Sequence, residues 1–242
     1  MSGQKVIAEL RAAPLQTLRA AADDFRYLLG RGYPRTASLT LVGNRYQLAA
    51  AARQILHRGV FDLATAHRRR LKLRHLGDCA GQPLALDGHN VLITLECSLR
   101  GLPLTAADDG FIRDIGQISQ GYRPSPVTAQ ALELIIGFLK EQGVSPVLFW
   151  YDAPLSRSGE LAATTRNMLR QHKLAGDAQA VPVPEKHLLA WEGIVASSDT
   201  HVIDRSQLAV DPAGEIIRQL PHAWIISLLA GDSPETSLHP GE

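Results

Sequence analysis

Three aspartates each close a short apolar run in this chain. Ala85-Leu86 leads into Asp87, Val147-Leu148-Phe149-Trp150-Tyr151 into Asp152, and Ile194-Val195-Ala196-Ser197-Ser198 into Asp199. Short apolar runs bounded by turn residues read as buried strands. In a parallel sheet all the carboxyl ends share one edge, and ligands bind at that edge. Three acids far apart in sequence are therefore expected to converge on one spot. Clustered carboxylates suit a hard cation such as Mg2+ or Mn2+, which prefers oxygen donors. Each aspartate also has a simpler reading as a helix N-cap, because aspartate at a strand-to-helix turn caps the helix that follows.

The elements that must position these acids alternate. Strands are predicted at 84–86, 102–106, 147–151, 178–183, 194–196 and 224–229. Helices are predicted at 90–98, 127–139, 156–171 and 186–191, the second of them carrying Val127, Ala131, Leu134, Ile135, Phe138 and Leu139 at helical spacing. Alternation of this kind argues a three-layer α/β/α fold with a mostly parallel sheet. Ahead of it lies a small helical domain. Helices are predicted over 15–29, 36–45 and 48–58, a helix-turn-helix outline decorated by Arg31, Arg35, Arg45, Arg53 and Arg58. The predicted division is a basic helical domain at 1–76, the α/β domain at 83–232 and a disordered tail at 233–242.

Charge divides along the same line. Of the 242 residues, the first 82 hold 14 Lys and Arg against 5 Asp and Glu, a balance of +9; the rest hold 11 against 19, a balance of −8. A basic part often grips nucleic acid, although two complementary parts can also simply pack together. The densest run, 66–75, contains Arg68, Arg69, Arg70, Lys72 and Arg74. It reads either as a phosphate-binding stripe or as a solvated linker or helix face.

Composition narrows the class. With 45% hydrophobic residues, the chain can bury a sizeable core. No run of eighteen apolar residues occurs, so no transmembrane helix and no membrane partner are expected. The first residues do not read as a secretory signal, and Cys79 and Cys97 do not read as a zinc pair; a reduced, cytoplasmic protein is the expectation. Walker A, Gly-x-Gly-x-x-Gly, Gly-x-Ser-x-Gly and His-Glu-x-x-His motifs are all absent.

Asp87-Gly88-His89-Asn90 resembles the first catalytic motif of PIN-like nucleases, especially the NYN branch, and Ser197-Ser198-Asp199 resembles their late motif. Over about 14–230 the chain is similar to an uncharacterised prokaryotic family, number 434 among the domains of unknown function. Its marks are Arg31-Gly32-Tyr33-Pro34 and Leu41-Val42-Gly43-Asn44-Arg45-Tyr46, with a PIN-like domain behind them. The resemblance implies a metal-dependent ribonuclease, in which bound Mg2+ or Mn2+ activates water and stabilises the oxyanions of attack at phosphorus. Asp87, Asp199 and Asp152 are then the leading ligands, with Asp204 a further one. The resemblance also puts an acidic segment at Asp108-Asp109, so Asp109 joins the catalytic candidates; its simpler reading is a surface turn. Arg113 beside it would clamp a phosphate. Asn90 would orient Asp87 or contact substrate, its simpler reading being a capping residue, and His89 and His201 are second-rank candidates for proton shuttles, a lone histidine near a motif being more often structural. Glu96 ranks below these.

Two function classes follow, a metal-dependent endoribonuclease with RNA held by the basic unit, or a non-catalytic RNA-binding or regulatory protein on the same scaffold. A DNA-binding regulator of helix-turn-helix type is a third reading, and a homodimer is allowed by any of them.

Overall fold

The computed structural model describes residues 3–115 and 122–229. The tail expected to be disordered, 233–242, lies outside the described residues. In chain order come helices α1 (Gly3–Arg11), α2 (Leu15–Gly30), α3 (Arg35–Arg45), α4 (Ala50–Gly59) and α5 (Leu63–Arg70), strands β1 (Leu73–Arg74) and β2 (Leu84–Asp87), and helix α6 (Gly88–Leu99). Strands β3 (Leu104–Ala106) and β4 (Ile112–Asp114) and helix α7 (Pro126–Glu141) follow. Next are β5 (Val147–Asp152), α8 (Ser158–His172), β6 (Gly176–Val181), α9 (Pro184–Leu189) and β7 (Ile194–Ala196). The last are α10 (Thr200–Arg205), β8 (Leu208–Val210), α11 (Pro212–Ile217) and β9 (Ile225–Ser227).

These elements form two compact units. Described residues 72–100 and 122–221 make the α/β unit, and 3–71, 101–115 and 222–229 make the other. The α/β unit is built on six parallel strands in the order β1-β8-β7-β2-β5-β6, covered by helices in a three-layer α/β/α arrangement. Strand β2 is central, and Leu84, Ala85 and Leu86 are wholly buried. Such strands read as continuous apolar runs because helices cover both faces of the sheet. From β2 the chain crosses to β5 and β6 on one side, then returns to β7 and β8 on the other. The order therefore reverses between β2 and β7. A crevice opens at the carboxyl ends of strands at such a switch point.

Gly88 lets α6 start immediately after β2. A Cβ there would lie 2.4 Å from a ring carbon of Tyr151, so no larger side chain fits the turn. Ten of the twelve residues of α6 are buried, which suits a helix apolar on nearly every side. Its one buried acid, Glu96, is satisfied by Arg100 Nη2 at 2.8 Å, Tyr122 Oη at 2.7 Å and Thr128 Oγ1 at 2.8 Å. Glu96 is a core residue of this unit and not an acid of the strand edge.

The first part of the chain is helical throughout, as expected. Phe25, Ile55, Leu56 and Val60 lie at the core of its unit. That unit also takes in a small sheet in the order β4-β3-β9. The strands predicted at 102–106 and 224–229 are present but pair with each other instead of joining the large sheet, Leu104 opposite Ile225. An apolar run specifies a strand and leaves its partner open. The charge division softens in consequence. Among described residues this unit carries 13 Lys and Arg against 7 Asp and Glu, and the α/β unit 12 against 14. Asp108, Asp109 and Asp114 belong with the basic residues. Among the described residues, no helix is long and apolar enough to cross a membrane.

Candidate active site

The register of the sheet brings Asp87 and the residues after β7 together. Leu86 lies opposite Ala196, so Asp87 meets Ser197 across the switch point. The Ser197 hydroxyl donates to Asp87 Oδ2 at 3.1 Å and accepts the Asp199 N–H at 3.1 Å. The other oxygen, Asp87 Oδ1, accepts the Asn90 N–H at 3.2 Å and so caps α6. Asn90 Oδ1 reaches over to accept the Ser198 N–H at 2.8 Å and its hydroxyl at 3.0 Å. The simpler sequence reading of Asp87, the helix cap, therefore applies. It is the N-cap, and it is also the hub of a network joining the ends of β2 and β7. Asp199 caps α10 through the His201 N–H at 2.7 Å and its side chain is exposed.

The electrostatics identify a fourth acid. Burial raises the Asp87 carboxyl to about 7; the Asn90 N–H and Ser197 hydroxyl oppose this, and the charges of Asp199 and Glu185 add to it. Burial also raises Asp152, with Glu185 again the charge that adds to it. The charge of Glu185 thus bears on both Asp87 and Asp152. Glu185 is the second residue of α9, which follows β6 and so begins at the carboxyl edge of the sheet. The sequence signal for it is Pro184-Glu185 directly after a strand, proline and an acid being the residues that open a helix. Among the described residues, no group of three His, Cys, Asp or Glu side chains stands close enough together to hold a metal ion. Asp87, Asp199 and Glu185 are thus near enough to interact but are not drawn into a tight triad.

His89 ties Asp152 to this edge. Its Nδ1 accepts the Asp152 N–H at 2.9 Å, and its ring meets the Tyr122 and Tyr151 rings edge-on at 5.3 and 5.2 Å. The ring is buried and its nitrogen is held down to about 4 by that burial. His89 is therefore neutral near pH 7 and acts as an acceptor, the structural reading of this residue and not that of a proton shuttle. Replacing it tests the bond. His89→Leu should cost about 1–3 kcal/mol by stranding the Asp152 N–H, and His89→Asn, whose Oδ1 lies near the place of Nδ1, should recover part of it. Urea denaturation of the three proteins measures this, and equal midpoints for all three would refute it.

The remaining candidates lie elsewhere. Asp109 is wholly buried in the other unit, where Arg113 Nη1 and Nη2 donate to its two oxygens at 2.7 and 2.9 Å and Arg69 Nη1 adds a bond at 3.2 Å. That corrects three expectations. Asp109 is neither an exposed turn nor an acid of the strand edge, Arg113 does not clamp a phosphate, and Arg69 is not part of a solvated stripe. Asp108 is likewise buried, taking Arg26 Nε and Nη2, both at 2.7 Å. Lys72 caps the end of α10 through the carbonyls of Ile203 and Asp204, at 2.9 and 2.6 Å. Asp204 stands on that far turn, a helical rise of about 7 Å from Asp199, and so away from the acidic edge. His201 Nε2 contacts Arg205 Nη1 at 2.7 Å. Arg68, Arg70 and Arg74 are the members of the basic run with exposed side chains. Arg45, Arg53 and Arg58, in the helix-turn-helix outline, are each engaged within their own unit.

Fold and site together define a parallel α/β unit with Asp87 at the switch point of its sheet, in a chain that also folds a partly helical unit. The chain belongs to the family described as "Domain of unknown function (DUF5616)", whose model matches residues 76–215. A second model, "Protein of unknown function (DUF434)", matches residues 17–72, where Arg31-Gly32-Tyr33-Pro34 lies. The chain is 30% identical over 206 residues to Uncharacterized protein MJ0935 of Methanocaldococcus jannaschii, covering 84% of this chain and 98% of that protein. No solved structure matches the chain.

Proposed function

We propose that the switch-point crevice is a PIN-like, NYN-related phosphodiesterase centre and that the protein is a metal-dependent ribonuclease. The observation that carries this reading is Asp87, set at the carboxyl end of the central strand, with the charges of Asp199 and Glu185 bearing on it. A buried carboxyl on which other carboxylate charges bear favours a cation beside it. The donors are all oxygens, which suits Mg2+ or Mn2+. Mg2+ commonly keeps several waters and takes only one or two carboxylates plus substrate phosphates, so a tight protein triad is not required. Asp87, Asp199 and Glu185 would hold the ion, with Asp152 beside them. When bound, it supplies Lewis acidity toward a phosphodiester and its attacking water. Asn90 and Ser198 hold the ends of β2 and β7 together, and Ser197 holds the Asp87 carboxylate in place. Exposed Arg68, Arg70 and Arg74 are the cations of the basic run that would contact the RNA backbone.

The test is cleavage of an end-labelled single-stranded RNA by the full chain in Mn2+, in Mg2+ and in EDTA. Cleavage in either metal, abolished by EDTA, is expected. The absence of any three-donor cluster among the described residues favours a second reading, RNA binding without cleavage. RNA that is bound in a gel shift and left intact in both metals would select that reading.

A further inference from the structure

We infer that His187, stacked on Trp150, is a nucleobase platform beside Asp87, taking one unpaired base of a single-stranded RNA on the side of its imidazole turned away from the indole. The inference rests on RNA as the ligand of the switch-point crevice and not on its cleavage there.

The register of the sheet places the stack. Asp87 and Trp150 are paired across β2 and β5. Residues so paired in neighbouring strands stand about 4.8 Å apart and send their side chains to the same face of the sheet. Trp150 therefore flanks Asp87, and Asp152, two residues further along β5, returns to that face. Helix α9 packs on β2 and β5 and is anchored by buried Pro184 and Leu188. It lays His187 flat on Trp150, with the ring centres 4.4 Å apart and the planes 19° from parallel. Glu185, whose charge bears on Asp87 and Asp152, belongs to the same short helix. No hydrogen bond holds the indole here. Trp150 Nε1 is buried without a partner among the described residues, although a buried indole N–H usually finds one. Ring contacts hold it instead. His187 is exposed even though Trp150 covers one side of its ring, so the other side is open to solvent. The stacked pair on the opposite face of β5, Phe149 with Tyr151, is buried and closed to any ligand. An open aromatic face beside a phosphodiester site takes a base by stacking, and tolerates any sequence because every base has a π-face. Stacking of this kind requires a base splayed out of a duplex, so single-stranded RNA fits and paired RNA does not. Purines, with the larger ring surface, should hold better than pyrimidines.

The test is binding by the full chain in Ca2+, whose longer bonds to oxygen make it a weaker Lewis acid than Mg2+. The probes are labelled strands of equal length: oligoadenylate, oligouridylate and an abasic ribose-phosphate strand. Oligoadenylate should bind about tenfold more tightly than the abasic strand, with oligouridylate between them. His187→Ala should remove most of that difference and leave the abasic strand's affinity unchanged, and His187→Phe should keep the difference. In the wild-type protein the His187 ring-proton resonances should move upfield when oligoadenylate is added, the ring-current effect of a stacked base, which lost packing in a variant cannot imitate. Equal affinity for all the strands would overturn the platform and leave RNA as the ligand. So would a base preference that survives His187→Ala while the His187 resonances stay in place. Failure to bind any strand would overturn the platform and the RNA reading together.

Discussion

Asp87→Asn is expected to eliminate metal-dependent RNA cleavage and, at the same time, to make the metal-free protein more stable above pH 7. The two effects have one cause. The Asp87 carboxyl is raised to about 7 in the folded chain, chiefly by burial and secondarily by Asp199 and Glu185. An unfolded aspartate titrates near 3.9. Between these values the folded state binds more protons than the unfolded one, so stability falls as pH rises and the full loss is present above about 7. Partial exposure of the side chain moderates the size, leaving about 2–4 kcal/mol at pH 8. Asparagine keeps an oxygen for the Asn90 N–H and can still meet the Ser197 hydroxyl, so the cap survives while the charge goes. The variant should melt roughly 5–10 °C higher at pH 8 in EDTA and close to wild type at pH 4. His89 contributes with the opposite sign, since its folded pKa of about 4 makes stability fall as pH drops from about 6.5. With Asp87 neutralised, that rise with pH should be what remains between pH 4 and 6.5. Cleavage should fall at least about a hundredfold, since the carboxylate proposed to hold the metal is gone. A variant with wild-type cleavage would remove Asp87 from the chemistry, and one with lower Tm at pH 8 would show its charge to be stabilising.

What the sequence disclosed about this site follows from how local each feature is. Asp87, Asp152 and Asp199 were legible because each sits at the end of its own apolar run, and a parallel sheet converts shared strand direction into a shared edge. The strands around them were placed within a residue or two for the same reason. Asp152 ends β5 as predicted, but the charge that bears on both it and Asp87 is that of Glu185, and Glu185 belongs to no motif. It is found only by noticing that α9 must start where β6 ends. Short elements went unread. α10, β8 and α11 are too brief to show a period, and β1 and β4 have two and three residues.

The acids of the other unit were misplaced for a different reason. Asp108-Asp109-Gly110 has the composition of a solvent-facing turn, and nothing local contradicts it. Its partners are distant: Arg26 lies 82 residues from Asp108, and Arg69 lies 40 from Asp109. The same partnership hides in the charge count. A run of arginines looks like a cationic stripe until one of them turns inward to meet an acid from a later segment. Arg69 does so, while its neighbours Arg68 and Arg70 remain exposed. A test of RNA binding by the run should therefore change Arg68 and Arg70 and leave Arg69 in place.

Asp109→Asn supplies the sharpest contrast between an acid proposed to do chemistry and one that holds a fold. Asp109 is wholly buried, and Arg113 beside it is 2% exposed. Removing the carboxylate charge leaves two guanidiniums over the Phe61 ring without their anion, with Arg35 already there to repel them. Breaking a buried pair from one side typically costs about 3–5 kcal/mol, because the surviving charge is stranded in a poor solvent. Asp109→Asn should therefore lower Tm by roughly 10 °C or more, the reverse of Asp87→Asn. Arg113→Met should cost less, since Asp109 keeps Arg69 and the methionine fills apolar space beside Phe61 and Phe111. The double variant should be less destabilised than the sum of the two, the coupling expected of residues in contact. Thermal melts of the two single variants and the double close the cycle. If Asp109→Asn instead melts with the wild type while RNA cleavage disappears, Asp109 acts in catalysis and its ion pair is incidental.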